Sequence, residues 1–398
     1  MSRLFILNQM AGPLFIDLTT ELSSYFSEGS VLYTSHPDAV SKFSSHYPNI
    51  KLVLSPNYNR ESLIKRLISW FKYLIGSSYL ILSSRKYDIF LLSTNPPLLA
   101  IWFWILSRVK KTSYCIVVYD IYPEVLVSSG LLNNNNFIVK CWNYFNEKAY
   151  KNSSFLITIS NGLANQLCEV HPQIRSKIQV VYPWADTEFI KPVRPQQNQL
   201  QHKLNPDGKK VILYAGNMGI SHDIDSIIKA AILLRQREDI HFLFVGGGDA
   251  FEKVNAFKID NNLTNISIHG YQPLHMLPHL LSLASVSLVA LDDDKQELMV
   301  PSKLFSYLAA GSPVIGICSP GNEVHSIINS NKCGVCVPPG HPQALAEVLI
   351  NTLDDNPKLS ELSLNARSIA TDKFSKELGV SQFIENFYRY GLISKNSS

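Results

Sequence analysis

No segment of this chain is long and apolar enough to cross a bilayer. The most apolar stretch, Leu98 to Leu106, is closed off by Pro96-Pro97 on one side and by Arg108, Lys110 and Lys111 on the other. As a helix it would rise about 14 Å, against a hydrocarbon core of ~30 Å. The opening run Met1 to Asn8 is too short for the apolar region of a signal peptide, so it reads as a first strand and the chain as cytoplasmic. Charge of one sign is scarce too: 36 Lys+Arg against 32 Asp+Glu leave a net +4. That balance excludes a dedicated nucleic-acid binder, whose affinity rests on a concentrated basic surface. Six cysteines lie at scattered spacings, and only Cys333 and Cys336 form a C-x-x-C. A zinc site needs a second ligand pair, and Val337-Pro338-Pro339-Gly340 replaces the helix that follows a thioredoxin-like motif. These are expected to be reduced structural cysteines, with no metal and no cofactor.

What is present is a globular composition, 46% hydrophobic and 17% charged over 398 residues. The length is enough for two domains with separate cores. Short β-rich runs near Leu4–Leu7, Ser30–Tyr33, Ile89–Ser93, Ser113–Tyr119 and Phe155–Thr158 alternate with amphipathic segments, the signature of βαβ units on a parallel sheet. The alternation stops in the Pro/Gln/Asn-rich segment from Lys191 to Asn198. It resumes with runs at Val211–Ala215, His241–Val245, Ile266–His269, Val286–Leu291, Val314–Ile317 and Gly334–Val337. The expected organisation is an α/β chain of two Rossmann-like, doubly wound domains facing each other across a cleft: 1–190, a linker at 191–209, 210–372, and a C-terminal helix at 373–398 returning to the first domain. Ligands of such sheets bind beyond the carboxyl ends of the strands.

Three motifs fall at those ends in the second half. Tyr214-Ala215-Gly216-Asn217-Met218-Gly219 runs from a strand into glycines and then a helix, where backbone N–H groups and a helix N-terminus could meet a diphosphate. Phe244-Val245-Gly246-Gly247-Gly248 lacks the rest of a dinucleotide fingerprint and reads as a tight turn. In Val300-Pro301-Ser302-Lys303-Leu304-Phe305, Pro301 starts a helix with Lys303 in its first turn, a position where an ammonium is tolerable when an anion binds beside it. In the first half, Asp120 ends the strand Cys115–Tyr119 and is followed by Ile121-Tyr122-Pro123-Glu124. A carboxylate there could orient or deprotonate an acceptor hydroxyl, or simply cap a turn.

With Gly334-Val335-Cys336-Val337-Pro338-Pro339-Gly340 added, the second half resembles the C-terminal domain of glycosyltransferase family 4. The segments Thr94-Asn95-Pro96-Pro97, Tyr119 to Glu124, Ile159-Ser160-Asn161-Gly162 and Val181 to Asp186 resemble the members that build O-antigen and capsule sugars, including N-acetyl-fucosamine transferases. The resemblance implies a GT-B fold and a nucleotide-sugar donor, a UDP-sugar, held mainly by the second domain. It also implies transfer with retention, without a metal, to a glycan acceptor. Gly12 matches a glycine facing the donor diphosphate, and Gly216 and Gly219 line the same loop. Asn217 and His222 stand where many members carry two basic phosphate ligands, which shifts the electrostatic burden to Lys303. Tyr271 matches a position beside the nucleobase. The paired glutamates of many members fall at Leu298 and Ser306, with Glu297 one residue out of register. Asp120 and Lys303 are the expected catalytic residues, and Glu124 is expected to help position the acceptor.

Residues 59–75 carry Leu63, Leu67, Trp70, Phe71 and Leu74 at 3–4 spacing, flanked by Lys65, Arg66 and Lys72. Two readings stay open: an interfacial helix bringing the protein to a lipid-linked acceptor at the inner face of the membrane, or an ordinary helix packed on the sheet. The weakened donor positions also leave open a nucleotide-sugar-binding scaffold, or a GT-B epimerase working without an acceptor.

Overall fold

The computed structural model describes residues 2–45, 47–59, 61–219, 222–291 and 300–394. The chain divides into two compact units, Met1–Tyr182 with Gly379–Ser398, and Pro183–Leu378. The first unit runs β1 (Leu4–Leu7), α1 (Pro13–Leu22), β2 (Ser30–Thr34), α2 (Pro37–Phe43), β3 (Ile50–Leu54), α3 (Leu63–Ser83), β4 (Ile89–Ser93), α4 (Leu99–Lys110), β5 (Ser113–Val118), α5 (Glu124–Ser128), α6 (Phe137–Asn152), β6 (Leu156–Thr158), α7 (Asn161–Val170) and β7 (Ile178–Val180). Its seven strands are parallel in the order β3-β2-β1-β4-β5-β6-β7. Because both faces of a parallel sheet are covered, the central strands read as continuous apolar runs, and Leu4, Ile6, Leu91 and Ile116 are fully buried. On one face Tyr73, Ile81, Phe103 and Tyr150 from α3, α4 and α6 form a single core with Phe90 and Ile116.

The second unit runs α8 (Gln201–Leu204), β8 (Lys210–Asn217), α9 (Ile224–Leu233), β9 (Ile240–Gly247), α10 (Phe251–Asp260), β10 (Ile266–His269), α11 (Leu277–Leu281), β11 (Ala284–Ala290), α12 (Lys303–Ala309), β12 (Val314–Ile317), α13 (Glu323–Ser330), β13 (Gly334–Val337), α14 (Pro342–Leu353) and α15 (Asn356–Lys373). Its six parallel strands are ordered β10-β9-β8-β11-β12-β13. The last helix, α16 (Lys376–Arg389), lies mostly in the first unit, where Phe387 meets Phe155 and Phe26 edge to face.

The segment expected as a linker, 191–209, belongs to the second unit. Val193 N–H donates to Ser282 Oγ at 2.9 Å, and the Asn198 amide donates to the His279 carbonyl at 2.7 Å. Leu200 and Leu204 are buried, which gives this polar-looking stretch an apolar anchor. The unit also reaches back to Ala185 and forward to Phe374, since Ala185 N–H donates to the Phe374 carbonyl at 3.0 Å. All six cysteines are free thiols.

Candidate functional site

In each sheet the strand order reverses beside the first strand, between β1 and β4 and between β8 and β11. A crevice at the carboxyl ends of such strands is the usual ligand position in open α/β sheets. In the second unit the pairing of β8 with β11 ends at Leu213↔Ser287, while its pairing with β9 continues to Asn217↔Gly247. The edge of β8 freed by this split is closed by a side chain. Tyr307 Oη accepts from Ala215 N–H at 2.8 Å and donates to the Ala215 carbonyl at 3.0 Å, standing in for the missing strand.

Four residues earlier on α12, and so on the same helix face, Lys303 reaches the same strand end. Its Nζ lies 3.9 Å from the Tyr214 ring centroid and donates to the Asn217 carbonyl at 3.3 Å. Among the described residues no carboxylate pairs with it, and desolvation lowers its pKa to about 7. An ammonium held this way is an incomplete ion pair. Gly216, at φ +108, adopts a backbone conformation that favours glycine, and an added Cβ would make only an ordinary contact with Lys303 Cε at 3.8 Å.

The glycine loop works as packing rather than as an amide cradle. Met218 N–H donates to the Gly247 carbonyl and Gly219 N–H to His222 Nδ1, so these two donors are already occupied. The β8–β9 approach needs Gly246, at φ +148, where a Cβ would lie 2.0 Å from the Gly216 carbonyl oxygen. The helix that follows is no free anion site either: Asp223 caps it by accepting from Ser226 N–H at 3.0 Å, and Asp225 sits in its first turn. His222 Nδ1 also faces the Tyr214 hydroxyl at 2.7 Å, and desolvation, followed by the nearby Lys303 charge, lowers its pKa to about 4. His222 is therefore a neutral hydrogen-bonding group at pH 7 and adds no positive charge. The Tyr271 ring lies over Gly247, 3.0 Å from where its Cβ would stand. Ser306 sits on α12 between Lys303 and Tyr307. Glu297 and Leu298 lie outside the described residues.

The first unit gathers Gly12 and Asp120 at the same end of its sheet. Gly12 is the N-cap of α1, with φ −74 and no side-chain cap, and the first turn carries no acid. An added Cβ would make only an ordinary contact with His36 Nε2 at 3.7 Å, so the fold itself does not demand glycine here. Thr94 Oγ1, after β4, accepts from Tyr119 N–H at 3.1 Å and from Asp120 N–H at 3.3 Å, which fixes the turn after β5. Asp120 does not cap α5, whose N-cap is Pro123. Its side chain is solvent-exposed, yet desolvation by the protein around it raises the carboxyl above the usual Asp value. Glu124 accepts from the Asn143 amide at 2.7 Å through Oε1, while its buried Oε2 has no hydrogen-bond partner. With the Asn146 amide on the Tyr122 carbonyl at 2.6 Å, α6 pins the Asp120–Glu124 turn. Sequence reasoning assigns no role to Tyr214, Tyr307 or Thr94. The Lys303/Tyr307 spacing was the one available signal.

Residues 195–369 match the family described as Glycosyl transferases group 1. WbjE of Pseudomonas aeruginosa, named a probable glycosyltransferase, is 27% identical over 331 residues, 82% of this chain and 81% of that protein. WcaI of Escherichia coli K12, whose name places it in colanic acid biosynthesis as a glycosyl transferase, is 23% identical over 333 residues, 82% of this chain and 80% of its own length. The structure of Anabaena HepE with UDP-glucose superposes with a TM-score of 0.73 at 14% identity, covering 98% of this chain and all of that one. WaaG, a glycosyltransferase of lipopolysaccharide biosynthesis, superposes at 0.66 with 15% identity, over 99% of this chain and all of that one. The chain is a glycosyltransferase of the GT-B fold, and residues 195–369 form its glycosyl transferases group 1 domain.

Proposed function

We propose that this glycosyltransferase takes a UDP-sugar and, without a metal ion, transfers the sugar with retention to a lipid-linked glycan during assembly of a cell-surface polysaccharide at the inner face of the membrane. The observation that carries the reading is the Lys303 ammonium at the β8/β11 split, held by the Tyr214 ring and the Asn217 carbonyl and, among the described residues, by no carboxylate. A leaving diphosphate there would complete the ion pair, and the energetic return is largest where water is already excluded. With Asn217 and His222 uncharged, Lys303 supplies the positive charge. Tyr271, whose ring lies over Gly247, and Ser306, three residues after Lys303 on α12, are the groups assigned to the nucleoside. In the first unit, Asp120 orients the acceptor hydroxyl. The acceptor oxygen bonds to the anomeric carbon on the face from which the diphosphate leaves, and the hydroxyl proton passes to the departing phosphate oxygen or to Asp120. A raised carboxyl pKa makes Asp120 a better base than an ordinary aspartate. Glu124 holds the turn against α6.

The names of WcaI, WaaG and the amylovoran transferase AmsK of Erwinia amylovora support the polysaccharide setting, and HepE solved with UDP-glucose supports the donor class. The test is incubation of the purified chain with a panel of nucleotide sugars and a polyprenyl-diphosphate-linked acceptor, in chelator, with the product anomer read by NMR. Transfer with retained configuration is expected. Binding without transfer would make the protein a scaffold, and interconversion of the donor without acceptor would make it an epimerase.

A further inference from the structure

The helix α3 is apolar on two opposite faces, and the described residues cover only one of them. Tyr73, Ser77 and Ile81 face the sheet, with the Tyr73 hydroxyl donating to the Tyr33 carbonyl at 3.1 Å. Ile64, Ile68, Phe71, Ile75, Tyr79 and Leu82 recur every three or four residues on the opposite side, and all are exposed. That is a complete second stripe along roughly 27 Å of helix. Trp70, expected on the exposed face, instead turns toward Tyr122, with ring centroids 6.5 Å apart.

The neighbouring helices extend the stripe into a surface. Trp102 of α4 donates to Ser78 of α3 at 3.0 Å, and Trp104 of α4 meets Phe145 of α6 at 6.4 Å between centroids. All three helices bury their inner faces in one core, so their outer faces share one side of the unit. Val109 of α4 and Phe137 and Tyr144 of α6 are exposed there. Phe71, Tyr79, Phe137 and Tyr144, 62%, 76%, 78% and 56% exposed, present on the order of 500 Å² among them. Among the described residues α3 carries seven exposed large hydrophobics, more than the six of the entire second unit.

Charge identifies the occupant. The three helices hold Lys72, Arg108, Lys110, Lys140, Lys148 and Lys151, besides Lys65, which pairs with Glu61 just ahead of α3, and the half-buried Arg66, against the single helical acid Glu147, which pairs with Lys151. The whole chain, by contrast, is nearly balanced. A second copy meeting this face with its own would set like charges against each other, whereas an anionic bilayer complements both the cations and the apolar stripe.

We propose that the α3–α4–α6 face docks on the surface of an anionic bilayer, with α3 lying in the interfacial plane. This takes up the membrane side of the reading above and rests on it only for the lipid-linked acceptor. The test is co-sedimentation of the full chain with phosphatidylcholine vesicles with and without phosphatidylglycerol. Binding is expected to the anionic vesicles and to weaken as salt shortens the Debye length from ~8 Å at physiological strength to ~3 Å at 1 M. Each cation near the surface is worth about fivefold in partitioning, so Lys72→Glu with Lys140→Glu should lower binding by at least ~25-fold. Phe71→Ser with Tyr79→Ser should lower it at every salt concentration. Each variant should retain the parent's thermal unfolding, since the replaced side chains are exposed. Absence of vesicle binding at all salts, or a stable dimer that Phe71→Ser with Tyr79→Ser dissociates, overturns the proposal. Transfer to a water-soluble acceptor without vesicle binding would retain the transferase and remove the docking face. Vesicle binding without transfer from any nucleotide sugar would do the reverse.

Discussion

Replacing Lys303 by Met keeps the length and most of the packing of the side chain and removes its charge. In the unliganded protein the ammonium rests on the Tyr214 ring and the Asn217 carbonyl, and desolvation lowers its pKa to about 7. Near pH 7 part of the population therefore lacks the charge. A UDP-sugar has a permanently charged diphosphate, so its binding should draw the missing proton onto Lys303. A charge-assisted hydrogen bond of this kind contributes about 2–3 kcal/mol, so Lys303→Met should raise the donor dissociation constant ~30–150-fold. Titration calorimetry with UDP-glucose in two buffers of different ionisation enthalpy should show net proton uptake near pH 7 that grows as pH rises. Above that pH the affinity should fall, approaching tenfold per pH unit, because protonation must then accompany binding. Stability runs the other way. The folded pKa lies below the unfolded value of 10.5, so the unfolded chain binds more protons between pH 7 and 10.5 and stability rises with pH across that window. Lys303→Met should flatten this rise and make the unliganded protein more stable at neutral pH, the usual exchange of function for stability. A dissociation constant that is flat from about pH 6 to 9 and unchanged by Lys303→Met would refute the assignment.

Asp120→Asn should leave the donor dissociation constant unchanged while lowering kcat by about 10²–10⁴, and normal turnover in the folded variant would remove Asp120 from the chemistry. Tyr307→Phe leaves the Ala215 N–H and carbonyl without their partner in a buried setting, and should cost about 2–4 kcal/mol in urea denaturation. Gly246→Ala forces a Cβ against the Gly216 carbonyl at a positive φ and should destabilise the second unit by about 2–4 kcal/mol, read from the same denaturation curves. His222 has its pKa lowered from 6.5 to about 4, so its contribution to stability is complete above pH 6.5 and is lost as pH falls toward 4; His222→Gln should reduce the slope of stability against pH in that window.

The strands that sequence reading found in the first unit are the ones buried on both faces, since a parallel strand in mid-sheet must be apolar throughout. The two it missed, Ile50–Leu54 and Ile178–Val180, are the two edges of that sheet. Lys51 and Gln179 interrupt their apolar character because one side of each needs no covering strand or helix. In the second unit even the edge Gly334–Val337 was legible, its Val335 and Val337 having no polar neighbour between them. The position of Lys303 in the first turn of α12 was legible from Pro301-Ser302 before it. Its burial was not, because the aromatic ring beneath it comes from Tyr214, far away in sequence.

The sequence by itself determined the alternation of strands and helices, the two-unit α/β architecture and the positions of the loops that carry Gly12, Asp120 and Lys303. These are local properties, set by periodicity and by residues whose backbone or charge preferences act within a few positions. Only the tertiary structure decided which donors and charges remain available. The amides of Met218 and Gly219 have been consumed by Gly247 and His222, the N-terminus of α9 is occupied by the Asp223 cap and by Asp225 in its first turn, and Lys303 is left with no carboxylate among the described residues. The same holds for α3, whose two apolar stripes are nearly equivalent in sequence. Which one meets the sheet is settled by Tyr73 reaching the Tyr33 carbonyl and by α4 closing over Ser78, contacts between segments that sequence spacing cannot bring together.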